Sequence, residues 1–296
     1  MNRPDQEQPA RYRIGAIELA VVSDGTVYQD AGAIMGVVPR TVWEPVIGTP
    51  TEKNLTAVPL NVLVVRSSGR TVIVDTGVGN KLDERQRTVF FPGDYGHLLR
   101  RLKRIGVQPE DVDAVVNTHL HFDHCGWNTA NLHGVPLPTF PRATYYIARG
   151  EYQAATHPNE RTRPTYIPEN FVPLEESGRL ALVEGEQEIA PGVRVFPTPG
   201  HTEDHQSVAV RSGGEWALYT GDLAQHAVQL ERDAWIAAFD VLPLVSLQTK
   251  KDVLGRALRE RALVFSPHAV FPGAGYLELD GSRRKFVPAP PLHDEG

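Results

Sequence analysis

The sequence lacks a second cysteine, an excess of positive charge and any long apolar run. Because Cys125 is the single cysteine, no disulfide can form within the chain; the first ten residues also lack the apolar core of a secretory signal, so we expect a cytoplasmic protein. With 30 Lys and Arg against 36 Asp and Glu, the net charge of −6 argues against a nucleic-acid partner. No apolar run approaches the roughly 20 residues of a membrane-spanning helix, so we expect no membrane partner.

The composition of the 296 residues predicts a globular protein with many turns. Hydrophobic residues make up 41% of the chain, which is enough to build a sizeable core. The 26 Gly and 24 Pro indicate frequent turns between short elements. Since no low-complexity linker or repeat period divides the chain, we predict a loose polar arm over residues 1–12 and a single domain over 13–296.

Short β-branched runs outnumber helical patterns in both halves of the chain. In the first half, residues 60–65 and 70–75 predict a strand hairpin, and residues 95–105 predict a helix that leads into a strand at 114–116. In the second half, strands are predicted at 193–196, 207–210, 217–219 and 263–265, and a helix at 249–261. Because the helices could cover the outside of two packed sheets, we predict an α+β fold, a four-layer αββα sandwich.

Two long segments, 27–59 and 77–94, show no clear periodicity. Long loops in compact proteins are commonly binding loops or lids, so both segments are expected to form part of a substrate pocket. The first segment could also embrace a second subunit in a homodimer.

Three histidines and one aspartate fall within six positions after the predicted strand at 114–116, in His119-Leu-His-Phe-Asp-His124. His119 and His121 are two positions apart on an extended backbone, so both imidazoles face one side and can meet one metal ion. Asp123 and His124 fall where the chain should turn into a helix, so their side chains can diverge toward a second ion. Two neighbouring metal ions are therefore expected.

Further donors are needed to complete two sites, because a catalytic zinc ion usually takes three protein ligands and a water. His201, Asp222 and His268 each come just after a predicted strand. Strand ends that converge on one edge of a sandwich would bring these side chains to the first group. The carboxylate of Asp222 has two oxygens, with which it can bridge two ions.

These motifs, which run from Asp75-Thr-Gly77 to His268, resemble those of the metallo-β-lactamase-fold hydrolases, in particular the lactonase and organophosphate-hydrolase branch. The resemblance implies an αββα sandwich with two zinc ions at one edge, or iron, manganese or cobalt in their place. It implies that the first metal is held by His119, His121 and His201, the second by Asp123, His124 and His268, and that Asp222 bridges them. It places Asp75 near the site as a support rather than a ligand.

Other residues near the motifs are candidates for supporting the ligands or lining a pocket. His205 is interpreted as a histidine behind the ligands, since better donors already exist. Gln225 departs from related acyl-homoserine lactonases, which carry a tyrosine at this position that helps hold the substrate carbonyl. The remaining pocket candidates are His226, Met35, Trp43 and Phe90, and the last three could equally belong to ordinary core packing.

The sequence thus predicts a dinuclear zinc hydrolase that acts on a small molecule, a lactone or a carboxylic ester. Zinc lowers the pKa of bound water to about 7, so a bridging hydroxide can be the nucleophile, and Asp123 is the candidate to pass a proton to the leaving group. No Gly-x-Ser-x-Gly elbow is present, so we expect no covalent intermediate. The alternatives are organophosphate or phosphoester hydrolysis, glyoxalase II-like thioester hydrolysis and, more distantly, iron-dependent oxidation on the same fold.

Overall fold

The computed structural model describes residues 8–132 and 134–292. The strands in this part of the chain are β1 (Ala10–Ile14), β2 (Ile17–Asp30), β3 (Leu55–Ser67), β4 (Arg70–Val74), β5 (Gly93–Tyr95), β6 (Ala114–Val116), β7 (Thr129–Leu132), β8 (Val135–Pro138), β9 (Thr144–Ala148), β10 (Leu180–Val183), β11 (Gln187–Ala190), β12 (Val193–Pro197), β13 (Gln206–Ser212), β14 (Glu215–Tyr219), β15 (Leu263–Phe265), β16 (Ala274–Asp280) and β17 (Arg283–Pro288). The α-helices are α1 (Ala31–Met35), α2 (Arg40–Ile47), α3 (Leu98–Arg104), α4 (Phe122–Cys125), α5 (Arg149–Thr156), α6 (Val172–Glu176), α7 (Ala227–Glu231) and α8 (Pro243–Arg259).

Two mixed sheets contain most of these strands. The first sheet has the order β1-β2-β3-β4-β6-β9-β10, with β5 paired to β2, and the second runs from β11 to β17 in sequence order. Strands β4, β6, β9 and β10 pair in parallel, as do β14 and β15. Parallel strands end at the same edge of a sheet, so the loops that follow them lie close together.

The sheets pack face to face over a shared apolar core. Val72 and Val74 of β4 belong to this core, together with Val208 and Phe265 of the second sheet. Ile73, between the two valines, lies in a different cluster on the outer face of the first sheet. Side chains alternate between the two clusters because a strand has a two-residue period. Val72, Ile73 and Val74 are all apolar, which indicates that both faces of β4 are covered.

Helices cover both outer faces. Leu98 and Leu102 of α3 share the outer cluster of the first sheet with Ile73, while Leu254 of α8 packs with Leu218 and other residues of the second sheet. The order helix, sheet, sheet, helix confirms the predicted four-layer αββα sandwich. Within the described ranges, no helix combines the length and the apolar character that crossing a membrane would require.

Several predicted elements agree with the structure, and two helix starts were wrong. The hairpin between β3 and β4 turns at Ser68 and Gly69, as predicted. The helix predicted from residue 95 begins only at Leu98, because Tyr95 pairs with β2 instead. The helix predicted from residue 249 begins at Pro243, so Thr249 lies inside α8, where its hydroxyl donates to the carbonyl of Pro199.

The predicted arm over residues 1–12 agrees only in part with the structure. Residues 1–7 lie outside the described part of the chain, as do residues 293–296 at the other end. Residues 10–12, which the prediction placed in the arm, belong to β1, because Ala10 and Tyr12 alternate inward and join the core between the sheets. The single domain over 13–296 stays a prediction.

Candidate metal centre

Five strands lead directly into the polar residues that the sequence singled out. β4 leads into Asp75, β6 into His119 and His121, β12 into His201, β14 into Asp222, and β15 into His268. β12 points the same way as β14, because both pair antiparallel with β13. These strands therefore deliver their polar residues to one edge of the sandwich.

His119, His121 and His201 form the first trio, and all three are buried. His201 Nε2 lies 2.9 Å from His121 Nδ1, and the imidazole of His119 packs edge to face against both others. One ligand atom of each residue lies within 4.8 Å of the other two. The three imidazoles therefore surround one small space.

Asp123, His124 and His268 form the second trio. His124 Nε2 lies 3.1 Å from His268 Nε2. The carboxylate of Asp123 is more distant, at 3.9 Å from His124 Nε2 and 4.0 Å from His268 Nε2. Asp123 and His124 reach this trio because α4 begins at Phe122 and turns them away from His121.

The carboxylate of Asp222 lies between the two trios. Its Oδ2 is 3.3 Å from His201 Nε2 and 3.9 Å from His119 Nε2, in the first trio. Its Oδ1 is 2.9 Å from His268 Nε2 and 3.1 Å from His124 Nε2, in the second. One oxygen thus faces each trio, which is the geometry of a bridging ligand.

Hydrogen bonds behind three of the candidate ligands orient their imidazoles toward the space between the two trios. His124 Nδ1 lies 2.8 Å from Asp75 Oδ2, and His268 Nδ1 lies 2.8 Å from the carbonyl oxygen of Pro59. His201 Nδ1 lies 2.9 Å from Oδ1 of Asp240. Since each Nδ1 faces an acceptor, the Nε2 atoms are left to accept a cation.

The inward-facing atoms fit two divalent metal ions. His119 Nε2 is buried with no hydrogen-bond partner. The contacts of 2.9 and 3.1 Å between imidazole nitrogens require a proton or a cation between the two rings. Imidazole nitrogens and carboxylate oxygens are zinc ligands, and three residues per ion plus a shared carboxylate leave room for water or substrate.

Burial and the buried carboxylates set the charges of these groups. Burial lowers the pKa of His119 and His121 well below the ordinary value, which favours the neutral imidazole that binds metal. Burial also lowers the pKa of His124, but Asp222 and Asp75 outweigh it and raise the pKa well above the ordinary value. The carboxylates therefore stabilise positive charge at the centre.

Asp75 and His205 lie behind the candidate ligands. Asp75 adopts a positive φ of 59° directly after β4. Its Oδ1 accepts the backbone N–H of Thr118 at 2.8 Å while Oδ2 faces His124. His205 Nε2 accepts the backbone N–H of Asp222 at 3.0 Å, so this nitrogen is already engaged.

A cleft of about 270 Å³ opens beside the metal centre. It is lined by Tyr28, Gln29, Asp30, Leu55, Phe91, His121, Phe122, Asp123, Thr165, His201, Asp222, Gln225 and Phe239. The two segments predicted for the pocket, 27–59 and 77–94, both contribute to this lining. Four aromatic rings form much of the wall, and no Lys or Arg is among these described lining residues.

Gln225 is the predicted pocket residue that lines this cleft. Its Nε2 lies 2.7 Å from His201 Nδ1 and 3.3 Å from Oδ1 of Asp240. His226 is absent from the lining of the cleft in the described chain. Instead its Nδ1 accepts the backbone N–H of Val228 and caps α7.

Met35 and Trp43 are not among the described residues that line the cleft. Both are buried in an apolar cluster that also holds Phe91, Phe122 and Phe239 of the cleft wall. Their place in the pocket stays a prediction. The side chain of Phe90 lies outside the described residues.

Sequence reasoning missed three polar residues around the ligands. Asp240, in the loop before α8, contacts His201. Gln29, at the end of β2, places Nε2 3.5 Å from Oδ2 of Asp123. Glu151 of α5 accepts a hydrogen bond from the backbone N–H of Leu120. None has a motif partner nearby in the sequence, and only the fold brings them to the site.

The sequence of the chain is similar to those of known proteins. The model of the Metallo-beta-lactamase superfamily matches residues 55–273. An N-acyl homoserine lactonase from Bacillus sp is 29% identical over 236 residues, which cover 75% of this chain and 86% of the relative.

Two solved structures share the fold over nearly the whole chain. A probable metal-dependent hydrolase from Staphylococcus aureus has a TM-score of 0.86 at 26% identity, covering 95% of this chain and 100% of its own. A dizinc quorum-quenching lactonase in complex with a product, N-hexanoyl-L-homoserine, has a TM-score of 0.78 at 20% identity, covering 97% of this chain and 99% of its own.

Proposed function

The chain belongs to the metallo-beta-lactamase superfamily, and we propose that it is a dinuclear metal hydrolase that opens a lactone ring. The observation that carries the proposal is the position of Asp222, with one carboxylate oxygen facing each trio of metal-ligand candidates. The similarity to an N-acyl homoserine lactonase over 75% of the chain supports the lactone as substrate.

We assign the ligands from the two trios. The first metal is held by His119, His121 and His201, the second by Asp123, His124 and His268, and Asp222 bridges them. Five imidazoles and two carboxylates are a donor set that suits zinc, and the same set would also accept iron, manganese or cobalt. Asp75, His205 and Asp240 support the ligands from behind.

We assign separate roles in hydrolysis to residues that line the cleft. Two bound ions supply Lewis acidity, which lowers the pKa of water and stabilises negative charge. Asp123 lines the cleft, and we assign its carboxylate the transfer of a proton from the attacking water to the leaving alkoxide oxygen. Gln29 donates toward Oδ2 of Asp123 and orients it. The aromatic wall excludes bulk water from the bound substrate.

The cleft favours an uncharged substrate with an apolar substituent. Tyr28, Phe91, Phe122 and Phe239 offer apolar surface, whereas the described lining contains no Lys or Arg to pair with an anion. This lining disfavours a thioester with a charged peptide leaving group and a phosphodiester. A neutral lactone and a neutral carboxylic ester both satisfy it.

The same lining supports a second candidate, a neutral phosphotriester. Bound metal ions can stabilise charge on a phosphoryl oxygen as well as on a carbonyl oxygen. The two candidates differ in the product, because a lactone gives one hydroxy acid whereas a phosphotriester releases an alcohol and a phosphodiester.

Hydrolysis of a lactone gives a carboxylic acid and so releases a proton. The rate of proton release in the presence of zinc-loaded protein therefore tests the proposal. We expect turnover of an alkyl-substituted γ-lactone, weaker turnover of the same ring carrying a carboxylate, and loss of activity in Asp222→Asn. A control variant, Asp252→Asn, changes an exposed carboxylate on α8 and should keep the parent rate. Turnover of a phosphotriester alone would replace the lactone proposal by its rival, and no turnover by protein holding two ions would overturn both.

We also propose the cytoplasm as the compartment and a homodimer built on the 27–59 segment. Cell fractionation checks the compartment, and recovery of the protein outside the cytoplasm would refute it. Sedimentation of the purified chain checks the dimer, and a monomer at all concentrations would refute that proposal.

A further inference from the structure

Glu151 is a buried carboxyl group that the hydrolytic chemistry does not use. It lies in the first turn of α5 and is only 1% exposed. A buried carboxyl group is costly unless hydrogen bonds satisfy it, so its partners indicate what it does. Its hydrogen-bond partners are Leu120, which lies between two residues of the first trio, and Tyr166, whose ring packs on one of them.

One contact reaches the segment between two histidines of the first trio. Glu151 Oε1 accepts the backbone N–H of Leu120 at 2.9 Å. Leu120 lies between His119 and His121, in a stretch that is neither strand nor helix. The carboxyl group therefore fixes the peptide unit between His119 and Leu120, next to both imidazole-bearing residues.

A second contact reaches His121 through Tyr166. The Tyr166 hydroxyl donates to the same oxygen of Glu151 at 3.1 Å. The Tyr166 ring packs on His121 with centroids 5.3 Å apart, and the two residues pair their backbones in an isolated bridge. Glu151 thus holds the ring that lies against His121.

The second carboxylate oxygen, Oε2, has no hydrogen-bond partner in the described chain. Burial raises the pKa of Glu151, and the Leu120 and Tyr166 donors lower it. The hydrogen bonds of Glu151 therefore reach the His119–His121 loop, directly at Leu120 and through Tyr166 at His121.

We propose that Glu151 is a positioning residue that fixes the first trio by holding the His119–His121 loop, directly at Leu120 and through Tyr166 at His121. The described contacts of Glu151 include no residue of the second trio. Its removal should therefore weaken metal binding at the first trio selectively. This inference rests on the proposed dinuclear centre.

Zinc affinity in two single-site backgrounds tests the proposal without relying on activity. His268→Ala disrupts the second trio and leaves the first, and His201→Ala does the reverse. With a competing chelator, Glu151→Ala should lower zinc affinity roughly 10- to 100-fold in the His268→Ala background. It should leave the affinity unchanged in the His201→Ala background.

Two further variants separate positioning from general stability. Glu151→Gln keeps an acceptor oxygen for Leu120 and should restore most of the affinity. Glu175→Ala is the matched control, because Glu175 accepts a hydrogen bond from the Tyr152 hydroxyl at 2.7 Å in the same helical layer; it should leave zinc affinity at the parent value.

The outcomes distinguish this proposal from the proposed function. If the parent chain binds no metal, the dinuclear proposal fails. If the parent binds two ions and Glu151→Ala weakens both trios equally or neither, only the positioning role fails. If Glu151→Ala does not fold, Tyr166→Phe is measured in its place. A loss of zinc affinity confined to the first trio, smaller than the loss expected for Glu151→Ala, supports the positioning role, and unchanged zinc affinity overturns it.

Discussion

His205 Nε2 accepts the backbone N–H of Asp222 at 3.0 Å, so a histidine outside the two trios fixes the residue that lies between them. The other ring nitrogen of His205 lies 2.8 Å from the Thr198 hydroxyl. Burial lowers the pKa of His205 to about 3, which keeps the ring neutral and Nε2 free to accept. The position of Asp222 between the two trios therefore depends on a residue outside both of them.

The first prediction concerns His205. Replacing His205 by Ala should weaken zinc binding roughly 10- to 100-fold, because the backbone of Asp222 loses its acceptor. Replacing it by Gln should recover part of this loss, since the amide oxygen can accept the same N–H. Chelator competition gives the affinities, and parent affinity in His205→Ala would contradict the role.

The second prediction concerns Asp240, which faces His201 Nδ1 at 2.9 Å. Asp240→Asn removes the charge that orients this imidazole, so zinc affinity or turnover should fall roughly 10- to 100-fold. Asp252→Asn removes an exposed carboxylate that bonds Gln248 and should change neither. Equal behaviour of the two variants would show that Asp240 does not orient His201.

The third prediction concerns the apolar wall of the cleft. The rings of Phe91 and Phe122 stack with centroids 3.9 Å apart. Phe91→Ala should raise KM for an alkyl lactone about tenfold with little change in kcat, because the wall contributes about 1.5 kcal/mol of apolar burial. Val89→Ala, an exposed site in the same segment, is the control. A fall in kcat at constant KM would assign Phe91 a different role.

The fourth prediction concerns pH and Lys250, whose Nζ donates to the carbonyl of Trp235 at 2.8 Å. Burial lowers the pKa of Lys250 from 10.5 to about 8. At pH values between these two pKa values, the unfolded chain therefore binds more protons than the folded chain. The free energy of unfolding must then rise with pH in this range.

Urea unfolding of the parent and Lys250→Met at a series of pH values checks this sign. The parent should gain roughly 2 kcal/mol relative to the variant between pH 7 and pH 10, at up to about 1.4 kcal/mol per pH unit. A constant difference across this range would mean that Lys250 keeps an ordinary pKa in the folded protein.

The sequence was sufficient for the fold and for the ligand candidates where chemistry and local pattern coincide. His119 and His121 share one side because they leave the same short strand two positions apart, and Asp222 and His268 come just after neighbouring parallel strands. Such positions can be predicted because the strand pattern fixes both the direction and the edge.

The supporting contacts could not be predicted, because they join residues far apart in the chain. Asp240 contacts His201 from 39 positions away and Gln29 contacts Asp123 from 94 positions away, and no local pattern links either pair. The same holds for Glu151. Pocket walls are hard to predict for a related reason: an apolar residue in an unassigned segment, such as Trp43, can pack in the core as readily as line a cleft.

Metal content and lactone hydrolysis, measured on one preparation of purified protein, test the central claim most directly. The account predicts two zinc ions per chain by mass spectrometry, turnover of a neutral lactone, and loss of both on exhaustive chelation with recovery on adding zinc. A chain that holds one iron or no metal and does not hydrolyse the lactone after zinc is added would contradict it.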